Sequence, residues 1–122
     1  MTITIWYNPR CSKSRRTLEI LNDLGLRPKI VEYLKAPPRP EELRDVLRRL
    51  AIGPRDLMRT REAPWRDLGL GDADLSDDVL IQAMHEHPVL IERPVVLAGD
   101  KAVLGRPPES VLDLVGDQQT AR

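Results

Sequence analysis

Thr2-Ile3-Thr4-Ile5-Trp6-Tyr7 runs straight into Asn8-Pro9-Arg10-Cys11 and from there into Ser12-Lys13-Ser14-Arg15-Arg16-Thr17-Leu18. The first six residues alternate polar with apolar side chains and are rich in β-branched ones, which is the pattern of a strand. Asn8-Pro9 breaks it. From Ser12 onward Leu18, Leu21 and Leu24, with Thr17 and Ile20 beside them, recur at helical spacing as far as Gly25, a residue suited to end a helix in the left-handed conformation. The stretch therefore predicts a strand, a short loop and a helix with Cys11 at its start. Pro28-Lys29-Ile30-Val31-Glu32-Tyr33-Leu34 is a second strand candidate. A strand-helix-strand unit of this length closes a right-handed parallel crossover.

Outward from this unit, Ala36-Pro37-Pro38-Arg39-Pro40 marks a boundary, after which Leu43, Val46, Leu47 and Leu50 keep an apolar helical stripe up to Gly53-Pro54. Pro54 opens a short helical turn through Leu57. Ser76 caps a further helix, with Leu80, Ala83 and Met84 on its apolar side, that ends at His87-Pro88. Val95-Val96-Leu97-Ala98 and Lys101-Ala102-Val103-Leu104 flank Gly99-Asp100, a two-residue connection suited to a tight hairpin. Pro107-Pro108-Glu109 then introduces a last short helix with Val111, Leu112, Leu114 and Val115 apolar. The expected fold is α/β, with a small four-stranded mixed sheet in the order βαβ…ββα and a helical insert at about 37–88 between strands 2 and 3. Residues 1–116 make one domain and 117–122 a tail.

Composition narrows the function. The 122 residues suit one compact domain, and Lys+Arg 19 against Asp+Glu 19 leaves no basic excess for nucleic acid or a membrane surface. With 41% hydrophobic and 31% charged residues the chain is globular. No apolar run is long enough for a membrane span, and Met1-Thr2-Ile3-Thr4 lacks a signal-peptide layout, so a cytoplasmic address is expected. Phe is absent, leaving Leu, Ile, Val and Ala to build the core. The single cysteine, Cys11, excludes a disulfide within the chain and a Cys-rich zinc site, so any second thiol comes from another molecule.

A lone cysteine is often just a small buried hydrophobe. At a helix N-terminus, however, unpaired backbone N–H groups and the helix dipole favour an anion, and Arg10, Lys13, Arg15 and Arg16 add positive charge. A thiolate held there is a nucleophile and a redox centre, and the same N–H groups suit a tetrahedral oxyanion. A phosphatase loop of the Cys-x5-Arg type is excluded, because Thr17 stands where the arginine is needed. Cys11-Ser12-Lys13-Ser14 has the Cys-x-x-Ser form of single-thiol glutaredoxins, which places the Ser14 hydroxyl within reach of the sulfur. Arg93-Pro94 precedes the third strand and Arg106-Pro107 follows the fourth, while Arg59 lies between helices. His85 and His87 diverge on a helix and no third ligand is placed, so they form a helix C-terminus and not a metal site. Glu41, Glu42, Arg44, Asp45, Arg48 and Arg49 form the solvated face of the second helix.

Tyr7-Asn8-Pro9-Arg10-Cys11-Ser12-Lys13-Ser14-Arg15, Val31-Glu32-Tyr33-Leu34, Leu57-Met58-Arg59-Thr60, His87-Pro88-Val89-Leu90-Ile91-Glu92-Arg93-Pro94 and Gly105-Arg106-Pro107-Pro108-Glu109, taken in order, resemble the glutaredoxin-dependent arsenate reductases of the ArsC family. The resemblance runs from Ile3 to about Val115. It implies a thioredoxin-like fold in which Pro94 is a cis-proline facing the active-site helix, with Arg93 beside Cys11. It also implies Cys11 as the nucleophile toward arsenic(V), with Asn8, Arg10, Ser14 and Arg15 supporting the thiolate and Arg59, Arg93 and Arg106 holding the oxyanion. Tyr7 stands where members of the family often have His. The implied protein is a monomeric cytoplasmic enzyme of arsenic detoxification with no bound cofactor and no metal. Glutathione is its co-substrate, glutaredoxin its partner and arsenate its substrate.

Two other readings draw on the same residues. A glutathione-dependent thiol/disulfide reductase of the same fold needs Cys11 but not the three arginines. A regulator like Spx, which binds RNA polymerase, commonly carries a Cys-x-x-Cys switch, and Ser14 stands against it.

Overall fold

The computed structural model describes residues 2–114. β1 (Ile3–Trp6), α1 (Ser12–Asp23) and β2 (Lys29–Val31) form the first crossover. They are followed by α2 (Pro40–Leu50), α3 (Pro54–Leu57), α4 (Ala63–Asp67), α5 (Asp77–Glu86) and a 3-10 turn at Pro88–Leu90. β3 (Val95–Ala98), β4 (Lys101–Leu104) and a 3-10 turn at Pro108–Ser110 complete the order, and residues 111–114 are helical. The sheet order is β2-β1-β3-β4, with β1 parallel to β2 and antiparallel to β3, and β3 antiparallel to β4. This is the mixed four-stranded α/β sheet expected from the sequence.

The register decides where chemistry can gather. Trp6 lies opposite Val95, and Val95 lies opposite Leu104. The end of β1, the start of β3 and the end of β4 therefore share one end of the sheet. Below that end, Ile3, Ile5, Val96 and Ala98 pack with Ile20 and Leu21 of α1 and with Val111 and Leu114, while Tyr7, Leu18 and Val103 pack against this cluster. Each fully buried aliphatic side chain contributes roughly 1.5–3 kcal/mol, so the core fixes α1 on the sheet.

The chain divides into two compact units, one built from the residues up to Tyr33 and from Arg93 on, the other from Leu34–Glu92. In the second unit α2 packs with α5, burying Leu43, Val46, Leu47, Leu80, Ile81 and Met84. This unit is slightly wider than the insert expected at 37–88. Arg59 N–H donates to Leu90 O (2.7 Å), Glu92 N–H donates to Leu57 O (2.7 Å) and Met58 bridges Ile91, so residues 90–92 are tied to 57–59.

Two expectations are corrected, and one helix has no counterpart in the sequence reading. β2 covers only Lys29–Val31 of the stretch 28–34, because the ladder ends with Tyr7 N–H on Val31 O (2.8 Å) where Asn8-Pro9 diverts its partner. α2 stops at a left-handed Ala51 (φ 57°) two residues before Gly53. α4 has no counterpart in the apolar pattern, since none of its residues is buried. Val115, at the end of the last predicted helix, and the tail 117–122 lie outside the described residues.

Ser76 caps α5 as expected, its Oγ accepting from Val79 N–H at 3.3 Å. Replacing it by alanine leaves that donor to water, and the expected loss in a urea titration is about 1 kcal/mol, read as a lower midpoint with an unchanged slope.

Candidate active site

One residue shapes the loop before Cys11. Asn8 Oδ1 accepts from Arg10 N–H (3.0 Å), Asn8 O accepts from Cys11 N–H (2.9 Å), and Asn8 N–H donates to Ser14 Oγ (3.4 Å). Arg15 Nη1 adds a bond to Pro9 O at 2.9 Å. The loop is thus closed on itself and on the first turn of α1. Cys11 is the N-cap residue, with extended backbone angles, and its carbonyl accepts the helical bond from Arg15 N–H (3.0 Å). Its side chain makes no capping bond and is partly exposed, and the first turn contains no acidic residue. The first-turn N–H groups of such a helix have no intrahelical acceptor. Lys13 is partly buried, whereas Arg10, Arg15 and Arg16 are exposed, with Arg16 paired to Glu19 at 2.6 Å.

Ser14 differs from expectation. It is fully buried, and its hydroxyl accepts from the Asn8 N–H and holds no bond to the sulfur, because the loop folds back onto the helix at that point. The bond ties Ser14 to the loop that carries Cys11.

Arg93 and Arg106 come to the same end of the sheet from β3 and β4. Both arginine–proline bonds, Arg93-Pro94 and Arg106-Pro107, are cis; the resemblance implies this only for Pro94. Gly105 N–H donates to Pro94 O (2.9 Å) and Arg106 Nη1 to Arg93 O (3.4 Å), so the two arginines share one seam. Arg106 is exposed. Arg93 is partly buried, and its Nε is shielded from solvent without a hydrogen-bond partner.

Arg59 belongs to the Leu34–Glu92 unit. Its Nη1 pairs with Glu62 Oε1 at 2.7 Å and its Nε lies 3.5 Å from Glu92 Oε1. These two carboxylates orient the guanidinium, and neither was singled out from the sequence. Glu62 stands at an ordinary ion-pair spacing from Arg59, but Glu92 has no local signal. In the same unit His85 Nδ1 is bonded to Pro38 O at 2.8 Å, a structural use of the imidazole. The charged face of α2 is laced by ion pairs. Arg48 beside Asp45 holds its carboxyl below the ordinary carboxylate range, with Arg49 adding to the effect.

A four-stranded mixed sheet that presents a cysteine at the N-cap of the helix after its first strand defines a thioredoxin-like α/β chain. The ArsC family model matches residues 6–114, and the chain belongs to the ArsC family. It is 49% identical to the uncharacterized protein YfgD of Escherichia coli K12 over 93% of this chain and 97% of that one. It is also 44% identical to an arsenate reductase of Rhizobium meliloti over 96% and 84% of the two chains. Among solved structures, an arsenate reductase from Vibrio cholerae superposes with a TM-score of 0.90 at 46% identity, covering 93% of this chain and 97% of that one.

Proposed function

We propose that this chain is an arsenate reductase, with Cys11 as nucleophile and Arg59, Arg93 and Arg106 as the oxyanion ligands. The observation that carries the reading is a cysteine whose side chain is left free by its own helix cap, at the sheet end where Arg93 and Arg106 meet. Arsenate is a tetrahedral anion, and planar guanidinium donors match its oxygens better than a point charge does. Asn8, Arg10, Ser14 and Arg15 support the thiolate, Arg10 and Arg15 with their charge and Asn8 and Ser14 through the loop they close, and Pro94 is the cis-proline before β3.

The chemistry balances with two external thiols. The Cys11 thiolate attacks arsenic(V), forming a sulfur–arsenic bond as one oxygen leaves as water. Glutathione sulfur then replaces a second oxygen, again lost as water. A glutaredoxin thiol attacks that glutathione sulfur, the electron pair of its bond to arsenic passes to arsenic, and the mixed disulfide leaves. Arsenic, now trivalent, is hydrolysed from Cys11 as arsenite and the thiol returns. The protein's part is to position these groups and to stabilise charge on the arsenate oxygens, with no bound cofactor in the sequence of steps. A glutathione-containing cytoplasm is the compartment that fits. Among the described residues no helix is long and apolar enough to cross a membrane.

The test is arsenite production from arsenate with glutathione and glutaredoxin. The expected result is turnover that needs both thiols. No arsenite from folded protein with reduced Cys11 overturns the reading and leaves thiol/disulfide exchange as the alternative for Cys11.

A further inference from the structure

We propose that Gly105 is a positioning residue: the missing β-carbon at this place sets Arg93 and Arg106 relative to the helix that carries Cys11. The proposal rests on the reading of these arginines as oxyanion ligands. Gly105 is buried just beyond β4, and its N–H bonds Pro94 O. A β-carbon built there would lie 2.6 Å from Thr17 Oγ1, 2.7 Å from Pro94 Cγ and 3.2 Å from Pro94 Cδ. The first two distances are shorter than any carbon contact a folded chain tolerates. The backbone is not what demands glycine, because Gly105 has no positive φ. Space is.

Neither neighbour can yield by turning aside. Thr17 is fully buried on α1 and branched at its β-carbon, which restricts its rotamers, and the proline ring cannot rotate away from its own backbone. An added methyl group must therefore separate backbone elements. The elements concerned are the end of β4, which continues into Arg106, the start of β3, which follows Arg93, and α1, whose N-cap is Cys11. Thr17 Oγ1 has no hydrogen-bond partner, so nothing besides packing holds it in this contact. A shift approaching an ångström between a nucleophile and its oxyanion donors can lower the rate about a hundredfold.

The experiment compares wild type with Gly105→Ala by three readouts: arsenite kinetics, the thermal melt, and Cys11 alkylation by anionic iodoacetate against neutral iodoacetamide. The alkylation ratio reports positive charge arranged around the sulfur and requires no arsenate. Expected are a KM for arsenate raised about tenfold or more and a reduced preference for iodoacetate, with the iodoacetamide rate within about twofold of wild type. A folded Gly105→Ala with wild-type KM and alkylation ratio overturns the proposal. If that variant does not fold, Thr17→Ala/Gly105→Ala, which removes the 2.6 Å contact, carries the test. A ratio below wild type then supports positioning, whereas a wild-type ratio, or failure of this variant to fold as well, overturns it. Absence of arsenite from the wild-type protein overturns only the substrate reading, since the alkylation comparison stands without it.

Discussion

Cys11→Ser is expected to remove arsenite production by at least about a thousandfold while leaving the protein as stable as before or more so. The two effects diverge because Cys11 occupies an N-cap whose side chain makes no capping bond. Serine is among the better N-cap residues, and its hydroxyl can accept from an N–H of the first turn, a gain of up to about 1 kcal/mol. A serine hydroxyl, by contrast, is not ionised at neutral pH and forms no stable bond to arsenic under these conditions. Paired measurements of turnover and urea midpoint check the claim. A variant retaining more than a tenth of wild-type turnover would show that arsenic never passes through position 11. A loss of turnover matched by a lower midpoint would show that the substitution acted through the fold.

The parts of this fold that sequence makes legible are those governed by short-range physics. Alternation in Thr2–Tyr7, the Asn8-Pro9 break and the Leu18/Leu21/Leu24 spacing placed β1, the loop and α1, and with them Cys11 at the N-cap. Gly99-Asp100 between two apolar runs placed the β3-β4 hairpin, and Ser76 marked the start of α5. What escaped depends on contacts between residues far apart in the chain. The tie between 57–59 and 90–92 holds residues 90–92 to the helical unit, and it brings Glu92 to Arg59 from 33 positions away. α4 carries no buried residue, so no apolar stripe announces it. Ser14 illustrates a different limit. The Cys-x-x-Ser spacing predicts a hydroxyl near the sulfur, and the structure gives that hydroxyl the Asn8 N–H as its partner. Gly105 stands in the sequence only as the first residue of Gly105-Arg106-Pro107-Pro108-Glu109, because the atoms that crowd it belong to Thr17 and Pro94, distant in the chain.

Arg93→Ala tests the oxyanion site from the opposite direction, since it removes a side chain whose Nε is poorly satisfied. Its Nε is shielded from solvent with no hydrogen-bond partner, whereas its carbonyl, which accepts from Arg106, is untouched by the substitution. A donor left unpaired in the interior costs stability, so removing it offsets part of the packing lost with the side chain. The expected change in urea stability is less than about 1 kcal/mol. An anionic oxygen is the partner such a donor lacks, and a hydrogen bond to a charged group contributes about 1.5–3 kcal/mol. kcat/KM for arsenate should therefore fall by roughly ten- to a hundredfold. Arg93→Lys keeps the charge but loses the planar set of donors, so it should recover only a small part of that loss, whereas a purely long-range role for the charge would restore most of it. Steady-state kinetics on the two variants, with arsenate varied at saturating glutathione and glutaredoxin, separate these cases. If kcat/KM of Arg93→Ala stays within threefold of wild type, the oxyanion does not sit on Arg93.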